Sequence, residues 1–161
     1  MKLGFRNANE NEAEKVLCLY KNALGGEFCV WSEDYPSMRE IRHDMETGNL
    51  YVLTENEEVV GAISIVPEND MDELGGWTSV DGTHKEFSRV VIDRSCQGRG
   101  LASIMVLNII EVLRNRGYKW VHLAVAKCNL PAYHTYLKNG FKEVGEEDIY
   151  GNRYILMERL V

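Results

Sequence analysis

The segment VVIDRSCQGRGLASIMVLNII, residues 90–110, constrains the fold more than any other stretch of the chain. A β-branched run passes into a polar turn holding Gly98 and Gly100, and the turn passes into a long apolar stretch closed by Gly117. Glycine is entropically costly in ordered structure, so two in one turn need a reason. At a strand-to-helix junction they let main-chain N–H groups approach a ligand, and the following helix presents its positive end at the same point. The segment reads as an anion site for a phosphate group, with Arg99 as a further charge. Neither common phosphate loop fits. A Walker loop needs GxxxxGK[ST], and the dinucleotide fingerprint needs GxGxxG with an acid about 20 residues on. This chain has Ser103 at the third glycine and Trp120 near the acid position.

Hydrophobic periodicity and turn residues place the rest. A strand is expected over 2–7, helices over 10–24 and 37–47, and a hairpin over 50–53 and 59–66. A strand over 84–92, a helix over 101–116 and a strand over 120–126 form a crossover unit, which makes its two strands parallel. A short helix from Pro131 to about 138 and an antiparallel pair over 141–144 and 154–160 complete the chain. Ser37 and Glu40 stand at capping-box spacing. The expected fold is α/β (α+β), a mixed, mostly antiparallel sheet of about seven strands with about four flanking helices, in one domain over 1–161. PENDMDELGGWTSVDG, residues 67–82, reads as a long acidic loop, either functional or a solvated spacer.

Charge and cysteine usage exclude several classes. With 18 Lys+Arg against 25 Asp+Glu the net charge is −7, which disfavours nucleic acid as a partner. Residues 1–80 carry 6 basic and 16 acidic residues, and residues 81–161 carry 12 and 9, so a cationic ligand suits the first half and an anionic one the second. No apolar run reaches bilayer length, and MKLGFRNA has no signal-peptide character. Cys18, Cys29, Cys96 and Cys128 form no CxxC, and His43, His84, His122 and His134 are isolated in sequence. A cytoplasmic protein with reduced thiols, no membrane partner and no metal is expected.

Gln97-Gly98-Arg99-Gly100-Leu101-Ala102 follows FSRVVID and precedes NLPAYHTYLKNGF. Together these resemble the GNAT superfamily of acyl-CoA-dependent N-acyltransferases. The first stretch matches that family's Q/R-x-x-G-x-G/A signature. The second matches N-x-x-A-x-x-x-Y-x-x-x-G-F at Asn129, Ala132, Tyr136, Gly140 and Phe141. The likeness covers roughly residues 83–145, and the inferred element order agrees over the remainder.

The resemblance implies a GNAT fold whose parallel fourth and fifth strands splay apart. Residues Gln97, Gly98, Arg99, Gly100, Leu101, Ala102 and Ser103 then hold the pyrophosphate of acetyl-CoA, largely through main-chain amides. Val90, Val91 and Ile92 run beside its pantetheine arm, and Asn129, Ala132 and Tyr136 complete the cofactor site. The implied reaction moves an acetyl group directly from the thioester to a primary amine of a small molecule or peptide. Tyr136, at the family's tyrosine, is the expected acid. Glu86 lies eleven residues before Gln97, where the histone acetyltransferase branch carries its base, and is expected to act through water. His84, on the same strand face, is a second candidate base. Direct transfer needs no nucleophilic cysteine, so Cys96 and Cys128 read as inert. The loops that build the acceptor pocket in this family here supply Phe28, Trp31, Tyr35, Trp77 and Tyr150 with Glu33, Asp34, Asp70, Asp72 and Glu73, a mixture suited to a cationic amine. Trp31, Tyr35, Trp77 and Glu86 are the candidate substrate-binding residues. A non-catalytic acyl-CoA sensor is the alternative from another class. A monomer, or a homodimer paired through the C-terminal strands, is expected.

Overall fold

The computed structural model describes residues 2–161. Along the chain run β1 (Leu3–Asn7), α1 (Ala13–Ala23), α2 (Met38–Glu46), β2 (Leu50–Glu55), β3 (Glu58–Val66), β4 (His84–Ile92), α3 (Leu101–Asn115), β5 (Trp120–Ala126), α4 (Leu130–Lys138), β6 (Lys142–Ile149) and β7 (Asn152–Leu160). Short 3-10 turns at Glu10–Glu12 and Arg94–Cys96 precede α1 and the glycine turn. The strands form one seven-stranded sheet in the order β1-β2-β3-β4-β5-β7-β6. Pairs β1–β2, β2–β3, β5–β7 and β6–β7 are antiparallel, and β4–β5 is parallel. This is the mixed α/β sheet the sequence predicts. Among the described residues no helix is long and apolar enough to cross a membrane.

The chain divides into two compact units, one holding residues up to Ile65 with Arg89–Val106, the other Val66–Ser88 with Leu107–Val161. The core of the first is built by Val16, Leu19 and Tyr20 of α1, Ile41 of α2, and Leu50, Val52, Val59, Ala62 and Val91 from the strands. Helix α2 starts where the capping box places it: Arg39 N–H donates to Ser37 Oγ at 3.3 Å, and Ser37 N–H donates to Glu40 Oε1 at 3.2 Å. In the second unit, Val121, Leu123 and Val125 of β5 are buried, as are Leu156 and Met157 of β7 and the rings of Phe87, Tyr136 and Phe141.

The C-terminal hairpin is longer than its sequence predicts. The expected strand ends at 144, yet β6 runs to Ile149 and β7 begins at Asn152. Tyr150 (φ 48) and Gly151 (φ 82) both take positive φ, the geometry of a two-residue hairpin turn with the twist that antiparallel strands need. The polar run between them reads as a loop because it lacks apolar alternation. Charge pairing compensates: Glu146 pairs with Arg153 at 3.0 Å and with Lys127 at 2.9 Å, and Asp148 with Arg153 at 3.2 Å.

Candidate functional site

The glycine turn belongs to the first unit. Asp93 opens it by accepting from Ser95 N–H at 2.9 Å, and the Gln97 side-chain amide donates to the Ile92 carbonyl at 3.2 Å, which ties the turn to the end of β4. Gly98 (φ 78) and Gly100 (φ 77) are left-handed, and a Cβ on either would meet nothing within 4 Å. Backbone conformation, rather than lack of space, is what calls for glycine here. The N–H groups of Gly98, Gly100, Leu101 and Ala102 find no acceptor among the described residues, as expected for the first turn of a helix. The Arg99 guanidinium is engaged by the Glu55 carboxylate.

In the second unit, β4 and β5 pair only at His84↔Trp120, Lys85↔Val121 and Glu86↔His122. Phe87 and Ser88 are already outside this ladder, though β4 continues to Ile92. Over its start folds the 67–82 loop, docked at several points though largely exposed along its length. Trp77 donates Nε1–H to the Met71 carbonyl at 2.9 Å and stacks on His122 at 4.0 Å between ring centres, with planes 4° apart. Thr78 N–H donates to Glu158 Oε1 at 2.7 Å. Gly82 N–H donates to His84 Nδ1 at 3.2 Å, so the His84 proton sits on Nε2 and is donated to Asp72 Oδ1 at 2.8 Å. His84 is 4 % exposed and His122 2 %.

Glu68, Asn69, Met71, Asp72, His84, Glu86 and His122 line a small, partly open cavity of about 10 Å³. Burial, reinforced by neighbouring His84, pushes the His122 pKa down to about 4, so its ring is neutral near pH 7. Asp72, His84 and His122 each place one potential ligand atom within 4.8 Å of the others, a grouping that sequence spacing hides. A ligating histidine normally donates its second N–H, whereas His84 Nδ1 accepts one. The donor set thus fits a hydrogen-bonded carboxylate–imidazole pair better than a metal centre.

Tyr136 is 6 % exposed, with the rings of Phe87 and Phe141 each 5.8 Å away, and burial raises its pKa above that of an ordinary tyrosine. Asn129 caps α4 by accepting from Ala132 N–H at 3.2 Å. Of the four candidate acceptor residues, Trp77 and Glu86 meet in the loop-covered cluster. Trp31 and Tyr35 have other partners, in the first unit. Trp31 packs edge-on against Tyr20 at 5.3 Å, and the Tyr35 hydroxyl accepts from Arg89 at 3.2 Å.

Arg89 itself escapes a sequence reading. It takes positive φ (53) within β4 and makes two hydrogen bonds to Asp44, at 3.0 and 2.9 Å, while Ser64 Oγ donates to Asp44 at 2.7 Å. Burial pulls the Arg89 pKa down, but the Asp44 carboxylate, together with the Tyr35 and Tyr20 hydroxyls, holds the guanidinium above its ordinary value. His122 and Glu158 were also hidden. The available signal was a polar side chain at a core-facing position in otherwise apolar strands, VHLAVA and ILMERL.

Residues 17–141 match the Acetyltransferase (GNAT) family. The chain belongs to that family. GNAT folds of known structure superpose along its length. An acetyltransferase of the family from Streptococcus agalactiae 2603 gives a TM-score of 0.82 at 22% identity, covering 99% of this chain and 95% of the other. Ard1 from Thermoplasma volcanium gives 0.79 at 18%, covering 100% and 99%. The yncA protein of Salmonella typhimurium, solved with its cofactor acetyl-CoA, gives 0.74 at 19%, covering 99% and 94%. Among curated proteins the chain is 26% identical to human N-acetyltransferase 8B over 102 residues, 63% of this chain and 42% of that protein. It is 37% identical to mycothiol acetyltransferase of Rhodococcus erythropolis (strain PR4 / NBRC 100887) over 89 residues, 50% of this chain and 30% of that one. The chain thus matches less than half the length of these two relatives.

Proposed function

We propose that residues 1–161 act as one N-acetyltransferase domain that moves an acetyl group from acetyl-CoA to a primary amine of a small molecule or peptide. The observation that carries this reading is the turn ahead of α3, where two left-handed glycines leave successive N–H groups without acceptors at the positive end of a 15-residue helix. These groups fit a diphosphate. Gln97 to Ser103 hold it through the main chain, and Val90, Val91 and Ile92 offer sheet-type groups to the pantetheine arm. Asn129 and Ala132 contribute through the start of α4, which Asn129 keeps in place. Bound, acetyl-CoA supplies the acetyl group as an activated thioester.

Glu86, on the cavity wall, removes the proton that a primary ammonium must lose before it can attack, through a water in that cavity. Tyr136 keeps its proton at Oη near neutral pH because burial disfavours the phenolate, and from that state it protonates a leaving thiolate. Trp77 and Glu86 line the acceptor side. A relative named N-acetyltransferase 8B supports transfer to nitrogen. Four free cysteines suit a reducing compartment such as the cytoplasm.

A thiol-release assay against a panel of amines tests the proposal. Turnover with at least one amine is expected, with kcat falling about 10²-fold in both Tyr136→Phe and Glu86→Gln while coenzyme binding is retained. Coenzyme binding without turnover for any amine overturns it in favour of an acyl-CoA sensor, and unchanged rates in both variants overturn the roles given to Tyr136 and Glu86.

A further inference from the structure

Two side-chain atoms in the second unit are buried without a hydrogen-bond partner: His122 Nε2 and Glu158 Oε2. Their residues stand directly opposite each other, since β5 and β7 pair with His122 against Glu158. Opposed residues of an antiparallel pair share a face, with Cβ atoms about 4.5–5.5 Å apart. Each group supplies what the other lacks. A carboxylate oxygen accepts only, and a neutral imidazole with its proton on Nε2 donates there. Glu158 is 0 % exposed, and a buried carboxylate without a full set of donors calls for an explanation.

The surroundings pin both groups in place. Thr78 N–H donates to the other Glu158 oxygen at 2.7 Å. The His122 ring lies against the Trp77 indole at 4.0 Å and near His84 at 4.9 Å. On its other side His122 pairs with Glu86 in the parallel ladder, so Glu86, His122 and Glu158 stand in a row across three strands. His122 and Glu86 both line the cavity of about 10 Å³, room for roughly one water, the one that relays the proton to Glu86.

We propose that His122 and Glu158, opposed across β5 and β7 without a hydrogen bond between them in the structure, close into an imidazole–carboxylate dyad, Nε2–H donating to Oε2, which leaves His122 Nδ1 unprotonated as the hydrogen-bond acceptor for the amine that Glu86 deprotonates. This rests on the acetyl-transfer reading. The proton removed from the ammonium goes to Glu86 through water, not to His122, which stays neutral and orients the nitrogen. Glu158 is a positioning residue: it selects the His122 tautomer that keeps a lone pair toward the cavity.

Long-range ¹H–¹⁵N correlation of the imidazole nitrogens, in the full chain labelled at histidine and free of substrate, reads the tautomer directly. His122 is expected as the Nε2–H form at pH 7, and Glu158→Gln is expected to shift it toward a mixture. In kinetics, His122→Phe should raise KM for the amine about tenfold, the equivalent of one hydrogen bond, without moving KM for acetyl-CoA. His122→Asn, whose amide oxygen lies near the place of Nδ1, should recover part of that loss. An Nδ1–H tautomer in the unsubstituted chain, or equal amine KM for the Phe and Asn variants, overturns the dyad. Failure of the transferase reading looks different, since no amine is then turned over and the tautomer still decides the dyad.

Discussion

Asp44 is wholly shielded from water, yet both of its oxygens are met, by Arg89 on each and by Ser64 on one. A buried ion pair of this kind adds little compared with an apolar replacement of both partners, but removing one partner strands the other charge. Asp44→Ala is therefore expected to destabilise the protein by about 3–5 kcal/mol. The double change Asp44→Ala with Arg89→Leu should cost less than Asp44→Ala alone, a reversal of additivity that urea unfolding of the three variants reads directly. The two residues are 45 positions apart. In sequence, Asp44 looks like the solvent face of a charged helix and Arg89 like an outward-facing strand residue, so nothing local marks either as a partner.

At the scale of elements, the turn before α3 and the loop over β4 use glycine for different reasons. Gly100 takes a left-handed φ with open space around its missing Cβ, so Gly100→Ala adds strain without a clash and is expected to cost about 1–2 kcal/mol. Its effect on coenzyme binding should be larger, because the strain is relieved by turning the amides away from the diphosphate. Thermal unfolding beside coenzyme titration separates the two, and an affinity unchanged in a destabilised variant counts against the anion site. At Gly76 the limit is contact: a Cβ there would stand 1.8 Å from the Val144 carbonyl oxygen. That approach, with the Trp77 and Thr78 contacts, seats the acidic 67–82 loop against the strands of its own unit. In sequence the same loop reads equally as a functional segment or a spacer, because its anchors are main-chain groups, one indole and the Asp72 carboxylate rather than an apolar pattern.

For the molecule as a whole, acid sensitivity should appear in two windows. His122 has a folded pKa near 4 against 6.5 in the open chain, so between these values unfolding takes up a proton. Stability is therefore full above about pH 6.5, falls as pH drops toward 4, and loses no more to this group below that. Glu12, Asp93 and Glu146 have pKa values held below the ordinary range, by the Arg6 hydrogen bond, by Ser95, and by Lys127 with Arg153 respectively. Their stabilisation is present above the unfolded value of about 4 and is lost as pH falls through the folded ones. Chemical denaturation across pH 3–8 checks this, with His122→Asn expected to flatten the upper window and leave the lower.

Local pattern determined the element types, the parallel crossover from β4 to β5, the glycine turn and, through two motifs, the GNAT family. These depend on neighbours in the chain, on period, capping and φ, and so are written in consecutive residues. The tertiary structure alone decided that β7 inserts between β5 and β6, that Asp44 meets Arg89, and that His84, His122 and Glu158 gather under the 67–82 loop, with Asp72 of that loop beside them. Those outcomes depend on strand register and on which buried polar groups find partners, and register is a property of pairs of segments, not of any one of them.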